Sequence, residues 1–412
     1  MPTPLPAVHL ARGREKKIRA NYPWVQREEV VQADKTEMGA LAQLIDFEGN
    51  FLAIGFHNWM SRFPFRVLTL ENEWIDVEFF RRKFYAAQQR REHLTDSTGI
   101  REIFAEADGM PGLIVDRYEG VLVVQVRNQG MERLKPLWLE AMIEVYQPDC
   151  IYEKSDMEGR REEALDAFVG VLYGTMPETV YLTEAGLKFE VPVVDGLKTG
   201  FYLDQRDGRR RLAERIKPGD KLLDGFCYSG AFSLYAQRAG AETLGVDYSE
   251  TAIATAKRNA ALNGLQPNFE VGNMFEWLEA QKPEPTYDWI LLDPPAIAKK
   301  SDKRTALKWA VWKLVYNAIP ILKPGGRLLV CSCSYQLGLH ELLDTIRLAT
   351  ADRGKVAMLE EIGIQSSDHP YSLAFPESWY LKSAWVRIDE SITSQPTKPP
   401  AVADEPVELV SE

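Results

Sequence analysis

The 412 residues predict an α/β protein of more than one domain, on three observations. Four apolar runs in the C-terminal half stop at chemically distinctive residues (Asp224, Asp247, Asp293 and Cys333), with helix-like stretches between the first three. Short alternating runs separated by turns fill the first 74 residues, the pattern of a small β-rich module. The length, with 45% hydrophobic residues, exceeds what one core normally serves. A mostly parallel sheet with helices on its faces, preceded by smaller modules, satisfies all three.

Taken in order, LAQLIDFEGNFLAIGFH places a turn at 46–49 between two strand-like runs. ARGREKKIRANYPWV joins a basic cluster to Tyr22 and Trp24, a mixture suited to contacting phosphate and stacking on bases, with a plain core role for the aromatics an equal alternative. IDVEFFRRKFYAAQQRREHL has helical periodicity through Ile75, Phe79, Phe80, Phe84 and Ala87. GMPGLIVDRYEGVLVVQVRNQ reads as a hairpin turning over 116–120, followed by a helix over about 131–146 and the strand CIYEK. LKFEVPVVDGLKTGFY reads as a further hairpin turning at Asp195-Gly196. The expected divisions are a β-rich module over 1–73, an α+β module over 74–184, a catalytic domain over 185–388 and an acidic, disordered tail over 389–412.

Composition narrows the setting. No apolar run is long enough to span a bilayer, and the first residues lack a signal-peptide core. Cys150, Cys227, Cys331 and Cys333 form neither a zinc pattern nor a disulfide framework, so no metal and a reducing cytoplasm are expected. The net charge of −11 is uneven: the residues from Asp389 onward contribute −5 (six acids against Lys398) and the remainder −6. Basic residues cluster at Arg12, Arg14, Lys16, Lys17 and Arg19, at Arg206, Arg209, Arg210, Arg211 and Arg215, and at Lys299, Lys300, Lys303, Arg304 and Lys308. A charge run is ordinarily a solvated face. Two of these flank the candidate ligand site, which favours phosphate contact.

LLDGFCYSGAFSLYA, over 222–236, is a strand, a tight loop and a helix start. Gly225 and Gly230 are too far apart for the dinucleotide fingerprint, so no pyrophosphate cradle is expected. Asp224 at the strand tip offers a carboxylate to an ammonium group. TLGVD then ends a second strand in Asp247, placed to grip ribose hydroxyls. Tyr248 is positioned to cover a base, and Ser249 or Asp247 to cap the next helix, which stops at Asn263-Gly264. A nucleoside joined to an amino acid fits both acids, and S-adenosylmethionine fits best. WILLDPP ends a third strand in Asp293 and a stiff diproline turn, and KPGGRLLVCSCSY a fourth at Cys333.

LDGFCYSGAF, GVDYSE, LLDPPA and CSCS, in that order, resemble a class I S-adenosylmethionine-dependent methyltransferase. GLKTGFYLDQRDGRR before them, and DHP and FPESWYLKSAWVRI after them, are more specific. Together they resemble the 23S ribosomal RNA (cytosine-C5-)methyltransferase I family, and ARGREKKIRANYPWV is similar to the start of its PUA domain. The resemblance implies a PUA domain, a mixed middle domain and a Rossmann-like methyltransferase domain with a seven-stranded, mostly parallel sheet. It covers most of the chain, and the acidic tail has no counterpart in it.

Membership in that family implies formation of 5-methylcytosine in 23S rRNA. Cytosine C5 is a poor nucleophile, and a thiolate adding to C6 makes it enamine-like. Cys333 matches the family's Ser-Cys-Ser motif, although a cysteine near a strand end is by itself an ordinary buried apolar residue. Asp293 accepts from the cytosine amino group or, if protonated, donates to N3. The base removing the C5 proton is unassigned, because Ala296 follows the diproline where some RNA cytosine methyltransferases carry a second Cys. The cofactor residues are Asp224, Phe226, Tyr228, Gly230, Asp247, Tyr248, Ser249, Asn273 (in the family's acidic position), Asp293, Tyr202, Gln205 and Arg206. Arg12, Arg14, Lys16, Lys17, Lys299 and Lys300 are the RNA candidates, on an unpaired or extruded base. A homodimer is left open. The rivals are a guanine-N2 or adenine-N6 methyltransferase, disfavoured by Ala296 and Cys333, and a non-catalytic RNA-binding protein retaining the cofactor fold. A nicotinamide dehydrogenase is disfavoured by the missing glycine fingerprint.

Overall fold

A computed structural model describes residues 5–295 and 303–391. Ala296, Lys299 and Lys300, and the tail beyond 391, lie outside the described residues. The chain divides into two compact units, one drawn from residues 1–185, 193–195 and 367–378, the other from 186–192, 196–366 and 379–412.

The first unit holds two sheets. Six short strands between Ala7 and Thr69 form one, whose central hairpin joins Ala40–Ile45 to Phe51–His57. The Asp46 carboxylate fixes its turn by accepting from the Glu48 and Asn50 N–H groups at 3.0 and 2.8 Å. Five strands between Gly99 and Gly174 form the other, with helices Val77–Arg91 and Lys135–Tyr146 beside it. Leu134 interrupts the single helix expected over 131–146, leaving Gln129–Arg133 as a separate turn. Phe56 and Leu68 of the first sheet share one core with Phe79, Phe84, Trp138 and Ile151. A packed seam, not a linker, therefore runs through the 73/74 boundary.

Seven strands make the sheet of the second unit: β1 (Lys221–Gly225), β2 (Glu242–Asp247), β3 (Asn268–Val271), β4 (Tyr287–Leu292), β5 (Leu322–Ser332), β6 (Lys355–Ile364) and β7 (Lys382–Glu390). Their order is β3-β2-β1-β4-β5-β7-β6, and only β7 runs antiparallel to its neighbours. Among the described residues, six helices accompany them: α1 (Arg206–Arg215), α2 (Ala231–Arg238), α3 (Glu250–Leu262), α4 (Met274–Glu279), α5 (Lys303–Ala318) and α6 (Leu339–Asp352). The apolar runs predicted as buried parallel strands are buried on both faces, Leu223, Ile290 and Leu328 on one and Leu222, Trp289 and Leu329 on the other. Register places Gly225 beside Val246 and Leu292, and Leu292 beside Val330. The carboxyl ends of these strands therefore lie level.

Two expectations are corrected. No second strand follows Leu187–Val191: Pro192 ends the strand, and its carbonyl accepts from the Gly196 N–H at 2.7 Å. The last strand also continues to Glu390, two residues into the expected tail.

Ile290 is fully buried in the main core of this sheet. Ile290→Ala should therefore cost about 2–5 kcal/mol in urea denaturation followed by circular dichroism. A loss below about 1 kcal/mol would contradict this packing.

Candidate active site

The level strand ends form a rim, and the loop after β1 folds over it. Phe226 and Tyr228 adopt left-handed backbone at φ 65° and 47°, unusual for residues with a Cβ, as does Gly230 at φ 78°. The Phe226 and Cys227 N–H groups both donate to the Val246 carbonyl, at 2.9 and 3.1 Å. A Cβ on Gly230 would lie 2.6 Å from the Phe269 ring, so only glycine lets the loop pack this closely.

Asp224 is buried at the end of β1. Its Oδ2 accepts from the Ser233 N–H and hydroxyl at 3.0 and 2.7 Å, tying β1 to the first turn of α2. Its Oδ1 is buried without a hydrogen-bond partner among the described residues. Burial, reinforced by the Asp293 and Asp247 charges, pushes the carboxyl up to about 7 despite the Ser233 bonds. A buried acceptor of this kind suits an ammonium group.

Asp247 accepts from the Tyr228 N–H at Oδ2 and the Ser249 N–H at Oδ1, both at 2.9 Å. Each oxygen keeps a second lone pair, so the carboxylate suits vicinal hydroxyls. Burial raises it too. Tyr248 is exposed at the rim. Ser249 caps α3 by accepting from the Ala252 N–H, and Asn273 caps α4 by accepting from the Phe275 N–H at 3.0 Å. These last two side chains thus do structural work first.

On the other side of the rim, residues are drawn from distant parts of the chain. Gln205 Nε2 donates to Asp293 Oδ2 at 2.9 Å. Burial, and then the neighbouring Asp204, raise Asp293 to about 6, while Gln205 and Lys198 oppose the shift. Tyr202 packs edge-on to Tyr228 with centroids 5.1 Å apart, and it interacts electrostatically with Asp204, Asp293 and Cys333. Cys333, just past β5, is half-buried, whereas Cys331 is fully buried in the second core layer of the sheet. Arg206 is fully buried at the start of α1. Asp204, Lys198 and Tyr380 escaped the sequence reading. The Tyr380 hydroxyl donates to Asp204 at 2.6 Å across 176 residues of sequence, which no local pattern signals.

One phosphate expectation is corrected, and one open alternative is decided in favour of packing. In the 206–215 run, Arg206 and Arg209 are buried three residues apart on one helix face, and Arg209 donates to the Tyr202 carbonyl. Arg211 and Arg215 pair with Glu361. The run therefore braces the domain from within. Tyr22 donates to Glu377, and Trp24 is stacked on Phe63 and donates to Glu106, so packing occupies both aromatics. Of the basic residues beside them, Arg12, Arg14 and Lys16 are exposed, and Lys17 pairs with Glu29 at 2.5 Å.

Comparison with known proteins gives these sites a context. Residues 8–70 match a PUA-like domain, and residues 153–362 match an S-adenosylmethionine-dependent methyltransferase. The chain is 38% identical over 395 residues to the ribosomal RNA large subunit methyltransferase I of Aliivibrio fischeri, covering 93% of this chain and 99% of that protein. The enzyme of that name from Shewanella frigidimarina is 36% identical, covering 92% of this chain and 99% of its own. A solved Streptococcus mutans protein, assigned as a SAM-dependent methyltransferase, shares the fold: TM-score 0.79, 21% identity, over 92% of this chain and 99% of that one. The expected fold and the S-adenosylmethionine dependence both stand. Nothing in these comparisons supports a homodimer.

Asp224 yields a pH signature. Because burial raises its carboxyl from 3.8 to about 7, the folded chain holds a proton that the unfolded chain releases. Its contribution to stability is complete below about pH 4 and is lost as pH rises through 7. Gripping an ammonium requires the carboxylate, so affinity moves the opposite way. Binding of S-adenosylhomocysteine, by calorimetry, should tighten roughly tenfold between pH 6 and 8. In Asp224→Asn binding should be weaker and the rise smaller, with the ligand-free protein more stable at pH 8. An unchanged rise would remove Asp224 from the ammonium site.

Proposed function

This chain belongs to the ribosomal RNA large subunit methyltransferase I family, and from that premise we propose that it methylates C5 of a cytosine in 23S ribosomal RNA through a covalent Cys333 adduct. The observation that carries this reading is the pair of cysteines at the end of β5. Cys331 is fully buried, while Cys333, two residues on, is half-buried among groups that also face Asp293.

S-adenosylmethionine, when bound, supplies an electrophilic methyl group. Asp224 takes its ammonium, Asp247 its ribose hydroxyls, and Tyr248 flanks the base. The loop at 226–230 holds its backbone close, while Tyr202, Gln205 and Arg206 wall the amino-acid end. The Cys333 thiolate adds to C6 of an unpaired cytosine, forming the S–C6 bond and moving the ring electrons toward C5 and N3. Once C5 carries the methyl group, loss of its proton to a base expels the thiolate.

Asp293, raised to about 6, is poised close to the operating pH. A cytosine ring over it excludes water and raises it further, favouring the acid that donates to N3 as negative charge gathers there. The exposed Arg12, Arg14 and Lys16, with Lys17, Lys299 and Lys300, supply phosphate contacts in this reading. A thiol nucleophile suits the reducing cytoplasm.

RNA containing 5-fluorocytosine should be trapped covalently by the wild-type protein with cofactor, because fluorine does not leave as a proton does. Trapping that survives Cys333→Ala on a denaturing gel would show the nucleophile to be misassigned. Asp293→Asn should lower kcat by about 10²–10³ with little change in cofactor affinity. A kcat within a factor of two of wild type would exclude the N3 role.

A further inference from the structure

Lys382 opens β7 next to the catalytic rim, and its register places it opposite Ser332 on β5, the residue before Cys333. Its side chain is buried. The ammonium donates to the Ser334 carbonyl at 2.7 Å and the Leu337 carbonyl at 3.2 Å, so it clamps the turn that leaves Cys333. A lysine seldom accepts burial unless its charge has a use or a partner. Two neutral carbonyls take two of its three donors and do not compensate its charge. A fixed point charge beside a thiol favours the thiolate.

We propose that Lys382 is a positioning residue for the Cys333 thiolate: it fixes the loop through two carbonyls and supplies the positive charge the sulfur ionises against. The thiol proton leaves to water, and Lys382 remains an ammonium throughout. Burial lowers its own pKa and the Cys333 charge opposes that shift, as expected of a pair that stabilise one another's charged forms. Groups that are anionic or become so also lie near this sulfur. Tyr202 and Cys331 both interact with it, and Asp293 and Asp204 face those same two groups. Lys198 is spent on Asp204, at 3.9 Å, and on the Tyr202 ring, at 4.5 Å. Among the described residues, Lys382 is a buried cation held beside Cys333 by both its carbonyl contacts and its charge.

This inference rests on Cys333 being the nucleophile, and its test is arranged to fail separately. Iodoacetamide alkylation of Cys333 in the full chain, followed by peptide mass spectrometry across pH 5.5–9.5, reads the thiolate without RNA or turnover. In Lys382→Gln, whose amide still donates to a carbonyl but carries no charge, the midpoint should rise by about one unit, slowing alkylation at neutral pH about tenfold. Lys382→Arg should keep the midpoint near wild type. S-adenosylhomocysteine binding verifies that each variant folds. A folded Lys382→Gln with the wild-type midpoint would overturn the proposal, since a purely structural clamp moves loop order and not ionisation. So would a Lys382→Arg midpoint that rises as far as that of Lys382→Gln. If the midpoint shifts as expected while 5-fluorocytosine RNA is not trapped, the Lys382–Cys333 pairing stands and the nucleophile reading alone falls.

Discussion

Everything at this site depends on parallel strands ending level and on the dry sheet they end in. Register between β1, β2, β4 and β5 fixes where Asp224, Asp247, Asp293 and Cys333 emerge. Because both faces of the sheet are covered, the strand ends deliver their carboxylates into low dielectric. Burial is accordingly the leading cause of the raised pKa of Asp224, Asp247 and Asp293 alike. Neighbouring carboxylates add to it at Asp224, through Asp293 and Asp247, and at Asp293, through Asp204. A ligand with an ammonium group relieves that strain, and one without it does not, so the ligand class follows from the electrostatics of the sheet.

The loop after β1 shows how the backbone is bent to this end. Two non-glycine residues in left-handed conformation, Phe226 and Tyr228, cost of order 1–3 kcal/mol each. They are held by what surrounds them. Paired N–H donation to Val246, the Tyr228 N–H on Asp247, and the Tyr228 hydroxyl donating to the Gly200 carbonyl at 3.2 Å over-determine the turn. Asp247 therefore has two tasks, shaping the loop and presenting a carboxylate, and Asp224 likewise ties α2 while offering its second oxygen.

The strand tips were legible in the sequence because an apolar run that stops at an acid is a local pattern. Asp224, Asp247 and Asp293 needed no knowledge of the fold to be singled out. The arginine run at 206–215 was misread because charge density says nothing of which helix face turns inward. Arg206 and Arg209 are buried there, Arg209 with its guanidinium over the Phe201 and Tyr235 rings. Tyr22 and Trp24 stayed undecided between base stacking and core for a similar reason, their partners Glu377, Glu106 and Phe63 being set by tertiary packing. Asp204, Tyr380 and Lys382 were invisible. Each acts through a contact that spans more than forty residues of sequence.

The spacing of Cys331 and Cys333 carries the last step. Cys331 sits inside the strand, while Cys333 stands one residue beyond its end at Ser332, and the two differ in burial. Cys331 still lies within the ladder, paired with Ser383, and burial pushes its thiol far up. An inert thiol in the core is the physical consequence. One pleat further on, the ladder with β7 has ended at Ser332–Lys382, and Cys333 stands at the rim. The antiparallel turn of β7 is what brings Lys382 to that level: a parallel strand here would start at the far edge of the sheet. The single reversed strand in this topology thus serves chemistry as well as closure, setting a buried cation beside a sulfur that the parallel strands surround with carboxylates.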